Sequence, residues 1–68
     1  MNNLPQDILN AINDLEKAIK ERSINFDMYS MELKQTIRMN TWDTEEDAKM
    51  NNGITEEVAD ELIRKYGL

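Results

Sequence analysis

The stretch from Ile8 to Ile37, ILNAINDLEKAIKERSINFDMYSMELKQTI, decides the fold of this 68-residue chain. Its apolar residues recur mostly in steps of three and four, and no glycine or proline interrupts them. Because an α-helix has about 3.6 residues per turn, this spacing places them on one helix face. That face consists of Ile8, Ile12, Leu15, Ile19, Phe26, Tyr29 and Leu33, with Arg22 at one position of the series. The sequence therefore predicts helical surfaces that need to be buried.

A break is expected within this stretch near Ser23 and Asn25, because both residue types favour helix ends over helix interiors. Helix 1 is then predicted over residues 5–22, and helix 2 over residues 25–40. The alternative is a single helix over residues 5–40, which would be unusually long for so short a globular chain.

Arg22 has a different role in each of these two interpretations. If the chain breaks, Arg22 lies at the end of helix 1 and its charged group faces water. If the helix continues, Arg22 is a buried polar residue that sets the register of a coiled coil. We favour the first interpretation.

The second half of the chain carries one clear helix and one ambiguous segment. Thr55 is a good N-cap, acidic residues follow it and a glycine ends the pattern, so helix 3 is predicted over residues 55–66. Residues 41–53 form either an acidic linker or a short helix that Thr44 caps and that Gly53 ends in a left-handed conformation.

The predicted fold is a single all-α domain of about three helices over residues 1–68. Helices 1 and 2 are expected to form an antiparallel hairpin, which a short C-terminal helix 3 follows. A chain of this size buries only about 60% of its unfolded surface, so self-association or a partner is a plausible source of further stability.

The net charge of −6 is concentrated in the C-terminal third of the chain. Residues 43–61 contain eight acids and one base and carry −7, whereas the other residues contain six acids and seven bases. Binding to nucleic acid or to anionic membrane surfaces needs an excess of Lys and Arg, so neither is expected as a partner. The candidate acidic surface consists of Asp43, Glu45, Glu46, Asp47, Glu56, Glu57, Asp60 and Glu61.

The residue types that most catalytic and metal sites need are missing. The chain has no His and no Cys, and its serines lack the flanking glycines of a nucleophile elbow. Asp43, Glu45 and Asp47 have the spacing of a calcium loop, but Ala48 stands where that loop needs glycine. We therefore expect no enzymatic activity, no cofactor and no metal.

Hydropathy and cysteine content indicate where the chain acts. No stretch approaches the roughly 20 apolar residues of a membrane span, and the N-terminal residues do not resemble a secretion signal. The absence of Cys fits a reducing compartment. We expect a soluble cytoplasmic protein.

A second apolar face runs along helix 2, roughly opposite the first. It carries methionines, which are common at adaptable binding surfaces, and a tryptophan, which is enriched at interface hot spots. Either helix 3 covers this face and makes it ordinary core, or another molecule binds there. The candidate partner-binding residues are Met28, Met31, Met39 and Trp42.

The sequence thus predicts a non-enzymatic protein-interaction module that binds a protein partner and forms a homo-oligomer. The frequent Asn, Ile, Lys, Glu and Met residues resemble the usage of small accessory proteins from low-GC bacteria and their phages or plasmids, so a host protein is the expected target of inhibition or regulation. Two alternatives remain open. The acidic surface could mimic nucleic acid and block a nucleic-acid-binding protein, or the chain could be a purely structural oligomerisation subunit.

Overall fold

A computed structural model describes residues 4–68, which form four helices and two very short strands. The helices are α1 (Gln6–Glu21), α2 (Phe26–Met39), α3 (Glu45–Met50) and α4 (Glu56–Tyr66). The strands are β1 (Thr41–Trp42), between α2 and α3, and β2 (Ile54–Thr55), directly before α4. The prediction of a small all-α fold is confirmed for this part of the chain, and α4 corresponds to the predicted helix 3.

α1 and α2 form the predicted antiparallel hairpin. α1 ends where Arg22 adopts a left-handed backbone conformation, with φ of 53°. The Ser23 amide donates a hydrogen bond of 2.9 Å to the Ala18 carbonyl, and the Arg22 amide donates one of 3.2 Å to Ile19. Together these bonds make a Schellman motif, which satisfies carbonyls at the helix end. The chain therefore breaks near Ser23, and Arg22 is exposed.

The core lies where the hairpin meets β2 and α4. The largest completely buried side chains are Ile8 and Leu15 of α1 and Leu33 and Ile37 of α2. Each contributes about 1.5–3 kcal/mol when it leaves water. The other members of the core are Ala11, Ile12, Ile54, Ala59 and Leu62.

The apolar face of the hairpin is buried over only part of its length. Ile19 and Phe26 belong to the predicted buried face, yet both lie outside the core and are exposed. They are the members closest to the hairpin turn, whereas the covering elements return from the opposite end of α2. α4 has 11 residues, which span about 16 Å, and so cannot cover the whole hairpin.

The ambiguous segment over residues 41–53 contains the short helix α3. Its N-cap is Thr44, as predicted, because the Thr44 hydroxyl accepts a 3.1 Å hydrogen bond from the Asp47 amide. The left-handed residue that follows is Asn52, with φ of 53°, and not Gly53, so that part of the prediction is wrong. Asn tolerates this conformation better than most residues because its short polar side chain can form local hydrogen bonds.

Gly53 is needed for a different reason, which is the close approach of neighbouring atoms. A Cβ at this position would overlap the indole ring of Trp42. It would also lie 2.6 Å from the carbonyl oxygen of Asn40, which is too close for two atoms that are not bonded. The contact therefore requires a residue without a side chain.

A parallel bridge between β1 and β2 ties the end of α2 to the start of α4. Next to it, the Ile54 amide donates a 2.7 Å hydrogen bond to the Asn40 carbonyl. Thr55 then caps α4 by accepting a 3.4 Å hydrogen bond from the Val58 amide, so no linker separates the bridge from the helix. Strands of two residues are too short to show alternation in a sequence, and the bridge was not predicted.

Replacing Gly53 with Ala should destabilise the protein by about 1–3 kcal/mol, because the new methyl group forces Trp42 and the Asn40 backbone to move. Urea denaturation measures the loss, and the fluorescence of the single tryptophan should change in the folded state. Gly67→Ala is the matched control, because a methyl group at position 67 meets no neighbouring atom and only the backbone φ of 68° is unfavourable for Ala. This variant should lower the free energy of unfolding by about 1–2 kcal/mol without altering the tryptophan fluorescence. Equal fluorescence in both variants and the wild type would contradict the proposed contact.

Candidate functional site

The outer side of α2 carries three exposed methionines, Met28, Met31 and Met39, which we call the methionine face. At about 100° per residue, they lie roughly opposite the buried Leu33 and Ile37. Met31 is 72% exposed and Met39 is 77% exposed. α4 packs against α2, but the methionine face stays uncovered within residues 4–68.

Ile24 is a further exposed apolar residue, which lies in the hairpin turn just before α2. It precedes Met28 by four residues and is 97% exposed, which is the largest exposed fraction among the large apolar residues described. It was not among the predicted binding residues. The helical spacing of the methionines, continued toward the N-terminus, includes Ile24, but α2 begins only at Phe26, so this spacing does not fix where Ile24 lies.

Trp42 lies beyond the end of α2, in β1, and not on the helix itself. Its ring packs against Gly53, where a Cβ would overlap it, and 36% of the residue remains exposed. Trp42 therefore has a structural contact that the sequence did not indicate. Its predicted role in partner binding stays a prediction.

Charged side chains border the methionine face along both edges. At about 100° per residue, Asp27, Lys34 and Arg38 lie along one edge and Glu32 lies along the other. Lys34 is half-buried, and the other three are exposed. An apolar centre with a charged rim is the usual arrangement of a protein–protein interface.

More large apolar side chains are exposed than buried in the described part of the chain. Seven are buried, whereas nine are exposed. Single exposed apolar residues are ordinary, but a contiguous group of them marks a binding surface. Three of the nine, namely Met28, Met31 and Met39, are placed by helical spacing on the same side of α2. The exposed set is Leu9, Ile19, Ile24, Phe26, Met28, Met31, Met39, Trp42 and Met50.

All eight residues of the predicted acidic surface are exposed. They lie between β1 and α3, on α3, and on the first half of α4. Glu45, Glu46 and Asp47 occupy the first turn of α3, and Glu56 and Glu57 occupy the first turn of α4. Carboxylates there stabilise the helix by interacting with its dipole, so more than half of the acidic surface has a local structural role.

An open groove of about 780 Å³ lies beside α3 and the start of α4. Its lining combines the apolar Ile54 and Val58 with one base, Lys49. Over residues 4–68, no three acidic side chains come together in the way that metal binding requires. The carboxylates that line the groove are Asp43, Glu45, Glu56 and Glu57.

Two further findings concern the chain as a whole. Of the helices described, none is long and apolar enough to cross a membrane. Comparisons with protein-family models, curated proteins and solved structures give no match. Any functional proposal therefore depends on the sequence and the geometry of this chain alone.

Replacing Met28, Met31 and Met39 together with Gln should hardly change the stability of the isolated fold. Exposed side chains contribute little, so each substitution should change the free energy of unfolding by about 0.5 kcal/mol or less. Leu33→Ala, in the core, should instead cost about 2–5 kcal/mol. Urea denaturation measures both, at protein concentrations where the midpoint does not depend on concentration. A loss of several kcal/mol in the triple variant would show that the methionines belong to the core.

Proposed function

We propose that this chain is a non-enzymatic protein-interaction module that binds a protein partner through the outer side of α2. The observation that carries the proposal is the methionine face, which is apolar, exposed and bordered by charged side chains. Covering it would remove apolar surface from water, which is the main driving force of most protein–protein association.

Methionine suits a surface that must fit a partner of irregular shape. Its side chain is unbranched and polarizable, so it adapts to the surface that it meets. The rest of α2 is held rigidly, because Leu33 and Ile37 are completely buried on its other side. The binding groups are thus flexible, whereas the helix that carries them is not.

The proposed target is a host protein that the chain inhibits or regulates in the cytoplasm. The composition, which resembles that of small accessory proteins from low-GC bacteria and their phages or plasmids, supports this choice of target. The lack of Cys fits action in a reducing compartment. The lack of both His and Cys supports a role that involves no catalysis.

The experiment is a pull-down with the tagged chain from its source cells, followed by quantitative mass spectrometry. Met31→Glu should reduce the recovery of the specific partner by about tenfold or more, because a charge then occupies the centre of the apolar surface. Circular dichroism should show unchanged helix content, since Met31 is exposed and Glu is a good helix former.

Met50→Glu is the matched control. Met50 lies at the end of α3, away from α2, and is 78% exposed. This variant loses the same side chain and gains the same charge as Met31→Glu, so it should recover the partner as well as the wild type does. Equal recovery by both variants and the wild type would refute the role of the methionine face.

A second candidate function is that of an acidic decoy that occupies the site of a nucleic acid on another protein. It is favoured by the exposure of all eight carboxylates and by the four of them that line one groove. Such a complex should weaken steeply as salt is raised, because exposed charges are screened. Glu45→Gln with Glu57→Gln should weaken it, whereas Met31→Glu should not. A complex whose affinity does not change with salt would exclude the decoy.

A further inference from the structure

The exposed methionines of α2 are spaced almost symmetrically along the helix. The midpoint of Met28 and Met39 lies within one position of Leu33, and Met31 lies two positions from Leu33. Beyond the helix ends, Ile24 and Trp42 are also exposed, each nine positions from Leu33, although neither belongs to α2.

We propose that a second copy of this chain covers the methionine face while no other protein is bound there, with the two α2 helices antiparallel about a twofold axis at the level of Leu33. The inference rests on the proposed function, because the second copy occupies the surface that the host protein is proposed to bind, and the two compete for it. In a twofold pair of this kind, each residue lies opposite the residue that is equally far from the midpoint. Met28 of one copy then contacts the partner's Met39, and the reverse contact forms by symmetry.

The charges at the edge of the methionine face agree with this arrangement. Asp27 and Arg38 share one edge, but 11 residues of helix separate them by about 16 Å, so they cannot pair within one chain. In the antiparallel dimer, Asp27 lies within about 3 Å along the axis from the partner's Arg38. Two such pairs form by symmetry, one at each end of the contact.

Lys34 opposes dimer formation. It lies on the same edge close to the twofold axis and therefore comes close to the like charge of Lys34 on the second copy. Its long side chain can turn its charge toward solvent, away from the symmetry-related Lys34. The ion pairs at the rim therefore fix the register of the two helices more than they strengthen the contact. The apolar surface supplies most of the affinity.

The available apolar area suits a weak dimer. If a fully exposed large side chain has an area of about 200 Å², then Met28, Met31 and Met39 together expose on the order of 400 Å², and Ile24 and Trp42 beyond the helix ends expose on the order of 270 Å² more. A standard interface buries about 800 Å² on each partner, and the charged edges can supply part of the difference. The dimer is thus at the small end of specific interfaces and depends on protein concentration.

Engineered disulfides test the register directly, because the chain has no cysteine that could react instead. Under mild oxidation, the double variant Met28→Cys with Met39→Cys should form covalent dimers, and mass spectrometry should find the bond between positions 28 and 39. A mixture of the two single variants should form mixed dimers through the same bond. Each single variant alone should not form a covalent dimer. The cysteines of its two copies would lie about 16 Å apart along the helix axis, well beyond disulfide reach.

Met50→Cys measures the rate of disulfide formation by random collision, since Met50 is exposed and lies outside the contact. The mixed pair should react at least about ten times faster, because binding raises the local thiol concentration. If the mixed pair forms its disulfide no faster than Met50→Cys does, the proposal is overturned. Faster reaction of each single variant with itself would also overturn it, because that result indicates parallel helices.

Sedimentation separates the failure of this inference from the failure of the proposed function. The wild type should change from monomer to dimer as its concentration rises, and Met31→Glu should remain a monomer. A wild type that stays monomeric at every concentration overturns the dimer. The proposed function survives that result if Met31→Glu, but not Met50→Glu, still loses the cellular partner.

Discussion

The hydrogen bond from the Ile54 amide to the Asn40 carbonyl, with the short parallel bridge beside it, determines how the rest of the chain is arranged. It holds the start of α4 against the end of α2. Because Thr55 belongs to the bridge and also caps α4, the position of this helix follows from the bridge without a flexible linker. α4 then packs with α1 on the side of α2 that contains Leu33 and Ile37, and the core closes on that side only.

This arrangement explains why so small a domain leaves so much apolar surface in water. α2 is apolar on two sides, and the chain has one remaining long helix with which to cover them. Once α4 is fixed on one side, the methionines on the other have no covering element within residues 4–68. A surface of this kind has a free-energy cost while it is exposed, and association with a second copy or with another protein removes that cost.

Sequence periodicity accounted for α1 and α2, because each carries a long apolar stripe. For α4, the stripe combines with an N-cap at Thr55 and a glycine after its last residue. The methionine face was also predictable, since it follows from the position of each residue around α2. Which side of α2 would be covered by α4 could not be predicted, because both sides are apolar. The bridge that decides between the two sides leaves no periodic signal in the sequence. The same bridge places Trp42 in β1, away from the second apolar face of helix 2 to which it was predicted to belong. Asn52, and not Gly53, adopts the left-handed conformation that was predicted for Gly53.

The most direct test of the account is the rate at which dilute peroxide oxidises each methionine, measured by mass spectrometry at increasing protein concentration. Oxidation follows exposure, so Met28, Met31, Met39 and Met50 should all react readily in dilute solution. At high concentration the three methionines of α2 should become protected, whereas Met50 should react as before. Slow oxidation of those three at the lowest concentration, or no protection at the highest, would contradict the claim that α2 presents a free apolar side that a second copy covers.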